Sequence, residues 1–513
     1  MTSKNTHGLR VAMSLATVAA SALLIGAAPV AAPLPLARLT RIAKVDERYQ
    51  SYNIEMVEVT GGRFWAPYGG PANEIYRQRP PLDLTDTRLI AYAKNLAPAY
   101  LRVSGTWANN TYLPTADEHL AEAPAGFKQL LQRQEWRNVV ALSKAADAPI
   151  VTSFAVSTGT RGPDGLWTPV QAQRVADLTR EAGGHLAAAE MFNEPNMPGA
   201  AQPMPAGYVA ANYAADFRLF HDWARKAVPD MKIIGPGGVG EGGAMKAIPV
   251  NAQGETIHTE DILAANAGKL DVVTYHFYGT VSQRCAAMHG GSAVKADALS
   301  PAWLDRTLGE EEYYSGLRDK YEPGKPLWNT ETAQAACGGS PWAATFLDTF
   351  RYLGQLGLLA QRNVQVVMHN TLATSDYALI NRDTMVPRPN YWAAVLWRRV
   401  MGTVVLTPPA SPSPRLRLYA QCLRGVPGGV AILALNTGEE AQTLRIAGKS
   451  QAWIMTGKPV DTGSITINGH SPALAPDGTL TGMESATMTG PVAVPPQSIA
   501  FVAVPQAANP ACG

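Results

Sequence analysis

The sequence predicts a (β/α)8 TIM barrel followed by a C-terminal all-β sandwich, an α/β fold class, and three observations carry that expectation. Eight short apolar runs recur between residues 50 and 400, and segments of helical period separate them. After residue 402 the helical period gives way to short alternating segments with Gly, Pro and Asn turns. The runs lie at 52–59, 99–103, 149–154, 186–192, 231–235, 270–277, 326–330 and 364–369. Between them the spacing predicts helices over 127–146, 208–228 and 342–361, and Thr168-Pro169 offers an N-cap and an N1 proline to another. An open doubly wound sheet is the structural rival. The barrel is expected over 50–401 and the sandwich over 402–513, with strands at 415–421, 430–435, 444–446 and 499–504. The segment 37–49 is expected to add a strand to the sandwich.

The 513 residues exceed the roughly 150 of one domain. A composition of 46% hydrophobic and 16% charged residues excludes a disordered chain. The net charge of +2 arises from 43 basic and 41 acidic residues. Such a near-neutral chain without Lys/Arg clusters is not expected to take nucleic acid as a partner. Residues 1–32 read as an export signal: Lys4 and Arg10 form a basic start, 11–28 is uncharged, and small residues around 27–32 suit cleavage. A secreted or periplasmic protein, free of the membrane once the signal is removed, is therefore expected; a retained single-span anchor is the alternative.

Four cysteines, Cys285, Cys337, Cys422 and Cys512, fit an oxidising compartment. They fall into two regional pairs, which favours Cys285 with Cys337 and Cys422 with Cys512 among the three possible connectivities. None has zinc-site spacing, and the nine histidines form no HExxH-like pair. No metal and no other cofactor is expected.

Chemistry is signalled most strongly at the end of the fourth run, where Phe192-Asn193-Glu194-Pro195-Asn196 follows an apolar strand. Barrel enzymes carry their reacting groups where strands end, so Glu194 is the candidate general acid and base. Glu331 stands at the end of the seventh run in Asn329-Thr330-Glu331-Thr332. Strands 4 and 7 lie three steps apart around a ring of eight, so the two carboxylates can face each other across the mouth. Glycoside hydrolysis with retention needs that pair about 5 Å apart, with Glu331 as nucleophile. Alternation in the sixth run puts His276 and Tyr278 on one side, where Tyr278 could donate to a nucleophilic carboxylate and keep it ionised. Glu55, a charge inside the first run, is expected to be exposed, paired or bound to sugar hydroxyls. Gly235-Pro236-Gly237-Gly238-Val239-Gly240 matches the GxGxxG dinucleotide fingerprint, but the glycine-rich stretch continues and the next helix starts near Thr259. A flexible loop at the mouth is expected there.

Taken in order, Tyr100-Leu101-Arg102-Val103-Ser104-Gly105-Thr106, Asn193-Glu194-Pro195, Thr330-Glu331-Thr332, Asp376-Tyr377 and Pro389-Asn390-Tyr391-Trp392 resemble glycoside hydrolase family 79, which includes heparanases and bacterial β-glucuronidases. The resemblance runs from about residue 50 to the end. It implies a retaining enzyme acting on β-linked glucuronic acid in a glycan or glucuronide, with Glu194 as acid/base and Glu331 as nucleophile. It further implies that Asn193 contacts the 2-hydroxyl, that Glu55 and Thr106 hold other hydroxyls, and that Tyr278 orients Glu331. The resemblance gives Gly338 and Gly339 backbone amides that, with Tyr377, hold the uronate carboxylate, in a stretch with no Lys or Arg from 326 to 350. The chain departs from the family in the shorter glycine run at Ala336-Cys337-Gly338-Gly339 and in Val103-Ser104-Gly105. It also has no long excisable linker, so a single-chain enzyme is expected. The alternatives are another retaining clan A glycosidase acting on a neutral sugar, such as a β-xylosidase or β-glucosidase, a non-catalytic carbohydrate-binding protein on the same fold, and a NAD-dependent enzyme.

Overall fold

A computed structural model describes residues 32–70, 74–197, 204, 205, 207–243, 257–289 and 291–513. The expected export signal lies, but for residue 32, outside the described residues. Eight strands form a closed barrel: β1 (Gln50–Glu55), β2 (Leu101–Ser104), β3 (Ile150–Thr152), β4 (Leu186–Ala189), β5 (Lys232–Val239), β6 (Val272–Tyr278), β7 (Leu327–Ala333) and β8 (Val366–His369). Every neighbouring pair is parallel, and β8 closes onto β1 with Val367 opposite Gln50. All eight apolar runs are therefore strands of one barrel.

The barrel has an apolar floor and a polar mouth. Val151, Ala188, Ile234, Val272, Trp328, Val366 and Met368 come from six strands and touch one another, so they fill the interior towards the strand starts. Side chains nearer the strand ends include Glu55, Ser104, His276 and Glu331, all buried. Burying such groups is costly unless they find partners, and only the mouth, where eight strands converge, brings enough of them together.

A second sheet has eight strands in the order Arg41–Lys44, Met401–Leu406, Leu416–Leu423, Val430–Asn436, Ser498–Val504, Lys449–Thr456, Thr466–Ile467, with Ala486–Thr489 branching from Lys449–Thr456. Arg41–Lys44 runs antiparallel to Met401–Leu406, the added strand expected from 37–49. Period-2 alternation sends Val430, Ile432 and Ala434 into a core shared with Leu444, Val492 and Val494 of a second strand pair. Ala431, Leu433 and Leu435 instead join the core of the barrel helices. Helix Phe346–Gln361 is buried on nearly every face because it lies between barrel and sheet, with Gly357 pressed against the Tyr419 ring.

Local boundaries differ from the sequence expectations for identifiable reasons. The run 52–59 is strand only to Glu55, after which Met56–Thr60 turns into a short helix whose Glu58 accepts from the Glu55 N–H at 2.7 Å. The helix expected over 127–146 begins at Arg133, because Gln129–Leu130 pairs with Thr111–Tyr112. Pro169, not Thr168, occupies the N-cap position of Val170–Glu181, since the Thr168 hydroxyl donates to the Thr160 carbonyl. The glycine-rich 235–240 stretch is no mouth loop: 235–239 belong to β5 and are buried. Gly237 has φ +72°, and a Cβ there would stand 2.9 Å from Glu190; one on Gly238 would stand 2.1 Å from Thr259 Oγ1. These glycines admit close neighbours, and among the described residues the next helix after them is Thr259–Ala265.

Disulfides join Cys285 to Cys337 and Cys422 to Cys512. The second spans 90 residues and staples the last residues of the chain to the strand Leu416–Leu423. Replacing both Cys422 and Cys512 by Ser is expected to lower stability to urea by about 2–5 kcal/mol, read from equilibrium unfolding of the oxidised proteins; an unchanged midpoint would show that the sheet is held without it.

Candidate active site

The chemistry gathers around one buried cation. Arg102 projects from β2 with 1% of its surface exposed. Its guanidinium donates to Glu331 Oε2 at 2.8 Å, to Glu190 Oε2 at 2.9 Å and to Asn193 Oδ1 at 2.8 Å. The same fork lies 3.2 Å from His276 Nε2. Guanidinium nitrogens only donate, so His276 Nε2 accepts and the ring proton sits on Nδ1, 3.1 Å from Glu194 Oε1. Glu190, fully buried, also accepts from the Thr274 and Thr330 hydroxyls, each at 2.9 Å.

Glu331 leaves the end of β7 and receives a second donor, the Tyr278 hydroxyl, at 2.6 Å. Burial alone would raise its pKa; His276, Arg102 and the Tyr278 hydrogen bond outweigh burial and hold the carboxyl below its usual range. Glu190 is also lowered, with burial opposed chiefly by Arg102. Glu55 shifts the other way: burial and the charge of Glu331 push it well up. Its Oε1 accepts from Asn370 at 3.0 Å, and its Oε2 lies where a Cβ on Gly105 would stand, 1.5 Å away. Gly105 at φ +91° is thus required by the carboxyl above it.

Asn370, one residue past β8, shares its two amide protons among Glu55 Oε1, Tyr278 Oη at 3.1 Å and Tyr377 Oη at 3.2 Å. Both tyrosine oxygens accept from it, so the Tyr278 proton is aimed at Glu331 and the Tyr377 proton is left to donate elsewhere.

Glu194 stands on a loop whose shape is fixed from two sides. Asn109 grips the backbone of Asn193 with two hydrogen bonds of 2.9 Å, and Asn196 does the same to Val239 at the end of β5 with bonds of 2.8 and 3.2 Å. Together they hold Glu194 at φ +50°, a left-handed conformation that costs a non-glycine residue about 1–2 kcal/mol. The outcome is geometric: one carboxylate oxygen each of Glu194 and Glu331 and a ring nitrogen of His276 lie within 4.8 Å of one another. That trio has the spacing of a cation site. The pair is also close enough for one carboxyl to attack a carbon while the other protonates the departing oxygen.

Of the residues expected from sequence, Glu55, Asn193, Glu194, His276, Tyr278, Glu331 and Tyr377 belong to one connected hydrogen-bond network. Thr106 starts the helical turn Thr106–Asn110 just after β2, partly exposed, and no described hydrogen bond ties it to the network. Gly338 and Gly339 have φ +81° and +82°, and Gly339 packs on the backbone of Tyr377. The Gly339 amide donates to the Ala335 carbonyl at 3.1 Å, so it is engaged within its own loop, contrary to the expectation that both amides face a carboxylate. Nor is the loop free of basic groups: Arg284 Nη1 from the β6 loop stands 3.2 Å from where a Gly338 Cβ would be. Arg102, Glu190 and Asn370 were given no role from sequence; a charge inside an apolar strand was the available signal for Arg102.

Tyr278→Phe removes a donor from the ionised form of Glu331 and so raises its pKa. With Glu331 as the nucleophile expected from the sequence, the acidic limb of kcat/KM is expected to move up by about one pH unit. A pH–rate profile with an unmoved acidic limb would dissociate Tyr278 from that titration.

No protein-family profile matches the chain. Among characterised proteins it is similar to heparanase-like protein 1 of Arabidopsis thaliana, 26% identical over 375 residues, 70% of this chain and 66% of that protein. It is similar to mouse heparanase, 26% identical over 458 residues, 77% of this chain and 78% of that one, and to the hyaluronoglucuronidase of Hirudo nipponia, 24% identical over 77% of this chain and 85% of the leech protein. The match to chicken heparanase is 31% identical but spans only 43% of that protein. Among solved structures, a 4-O-α-L-rhamnosyl-β-D-glucuronidase from Fusarium oxysporum superposes with a TM-score of 0.59 at 13% identity, covering 90% of this chain and 97% of the other. A family 51 α-L-arabinofuranosidase from Bifidobacterium longum gives 0.60 at 13%, covering 92% and 98%. These structures share the fold, and several heparanases, heparanase-like proteins and glucuronidases match over much of the chain: it is similar to the heparanase-like glycoside hydrolases of family 79.

Proposed function

We propose that the protein is an exported, retaining β-glucuronidase, cleaving β-linked glucuronic acid by double displacement. The observation that carries this reading is the meeting of the Glu194 and Glu331 carboxylates with His276 within 4.8 Å, the short spacing of a retaining pair. Similarity to a hyaluronoglucuronidase and to the baicalin-β-D-glucuronidase of Scutellaria baicalensis supports glucuronic acid as the sugar. The two disulfides and the basic, then apolar start of the chain support export. No helix among the described residues is long and apolar enough to cross a membrane. We place the catalytic unit at 50–401 and the sandwich at 402–513.

Glu331, held ionised by Arg102 and Tyr278, attacks the anomeric carbon while Glu194 gives its proton to the leaving oxygen. The C–O bond to the aglycone breaks as the ester bond to Glu331 forms. Glu194, now a carboxylate steadied by the His276 Nδ1–H, takes a proton from water, which cleaves the ester and releases glucuronic acid with its configuration retained. Asn193 faces the 2-hydroxyl, and Glu55 and Thr106 serve other hydroxyls. Kept neutral beside Glu331, Glu55 avoids adding a third negative charge to a pocket that must also admit a uronate. The Tyr377 hydroxyl proton and the Gly338 amide receive the uronate carboxylate.

The test is hydrolysis of p-nitrophenyl β-glucuronide beside the matching glucoside and xyloside. Glucuronide preference is expected, with Glu331→Gln lowering kcat by about ten-thousandfold and Glu194→Gln by about a hundredfold or more. Azide should partly rescue Glu194→Gln by forming the β-glucuronosyl azide. Preference for a neutral glycoside would keep the mechanism and remove the carboxylate pocket; sugar binding without turnover of any glycoside would make the protein a lectin on an enzyme fold.

A further inference from the structure

The loop after β8 carries Tyr377 and ends at Arg388, the N-cap residue of helix Pro389–Val400. A helix N-terminus is the wrong end for a cation, because the peptide dipoles present their positive pole there. Arg388 instead spends its guanidinium on its own loop. Its Nη1 donates to the carbonyls of Ser375 and Asp376, each at 2.6 Å, and to that of Ala378 at 3.3 Å. Those three carbonyls flank Tyr377.

The surrounding charges do not cancel this cation. Asp376 is held by Arg284 at 3.0 Å and Asp383 by Arg79 at 2.7 Å, so each of these acids already has an arginine of its own. Among the described residues no carboxylate forms an ion pair with Arg388. Burial works against its charge and outweighs the support it draws from Asp376 and Asp383. Arg382, in the same loop, donates to the Pro80 carbonyl, and the acid that supports its charge most, Glu58, is itself pushed up to about 7 by burial. Arg79, Arg284, Arg382 and Arg388 thus stand against Asp376, Asp383 and Glu58, which leaves at least one positive charge in excess. A charge withdrawn from water without a counter-ion is costly, and that cost is offset when the counter-ion arrives with a ligand.

The excess adjoins both groups proposed above to receive the uronate. The peptide between Ser375 and Asp376 takes Arg388 at its carbonyl, and its N–H donates to the Gly338 carbonyl at 3.1 Å. Hydrogen bonds in such a series polarise one another, so the pull of the guanidinium reaches the glycine loop. Gly339 in turn packs on the Tyr377 backbone. We propose that Arg388 selects a uronic acid over the corresponding neutral sugar, its uncancelled charge acting on the substrate carboxylate through the field at Tyr377 and Gly338 and not by contact. This rests on the glucuronidase reading and adds the residue that sets its preference. A full charge acts over several ångströms where water is scarce, which hydrogen bonds from neutral groups do not.

The test measures kcat and KM for p-nitrophenyl β-glucuronide and the matching glucoside with the full-length wild type, Arg388→Met and Arg388→Lys. Arg388→Met is expected to lower kcat/KM for the glucuronide about tenfold, mostly through KM, and to leave the glucoside within about twofold. Arg388→Lys keeps the charge and is expected to recover most of the lost selectivity. Equal losses on both substrates, or a lysine variant no more selective than the methionine one, overturn the proposal and leave the glucuronidase reading standing. Because either variant could fail to fold, the wild type is also inhibited with glucuronic acid and with its neutral amide. The acid is expected to bind at least about tenfold more tightly, and equal binding overturns the proposal without any variant. A wild type that prefers the glucoside removes the glucuronidase reading, and this inference with it.

Discussion

Everything at the barrel mouth depends on keeping one guanidinium charge out of water. Arg102 and Glu190 are 1% and 0% exposed, and a buried ion pair recovers its desolvation cost only when nearly every donor and acceptor is used. Here most are: Arg102 turns Nη1 to Glu331 and Nη2 to Glu190, Asn193 and His276, leaving only Nε without a hydrogen bond among the described residues, and Glu190 takes two threonine hydroxyls besides. The contacts come from β2, β4, β6 and β7, so the pair also fixes how those strand ends sit relative to one another. A loss at any one partner would leave a buried charge short, which makes the arrangement stiff.

That stiffness sorts four carboxyl groups into different states within one pocket. Glu190 neutralises Arg102 from below, Glu331 uses what remains of its field, and Glu55, farther from the cation and beside Glu331, is driven towards its neutral form. Glu58 beneath it is pushed up to about 7 by burial. His276 is held by Arg102 with its proton towards Glu194, linking the two proposed reacting groups through a ring whose tautomer neither of them chooses. Identical side chains are thus given different work by burial and by distance from one cation.

The barrel was legible because its strands are short apolar runs that end in polar residues, and Glu194 and Glu331 were legible because each sits at such an end. Arg102 lay in plain view inside Tyr-Leu-Arg-Val, but its meaning needs partners 88 to 229 residues away. Asn370 was hidden for the same reason, since its three acceptors come from β1, β6 and the β8 loop. The glycines of β5 misled in the other direction: in sequence they look like slack, whereas Gly237 and Gly238 are small because Glu190 and Thr259 press on them. The commitment of the Gly339 amide to its own loop could not be read from a glycine pair at all, since a backbone bond leaves no mark on side-chain pattern.

Helix Phe346–Gln361 lies between the barrel and the eight-stranded sheet and is apolar towards both. Modular polysaccharide-degrading enzymes commonly gain and lose appended sugar-binding units joined by a linker. This sheet cannot be traded in that way, because removing it would strip the outer wall from a helix that follows the strand bearing Glu331. Barrel and sheet therefore have to be inherited together, and recombination that changes the carbohydrate reach of this protein must act on the mouth loops instead.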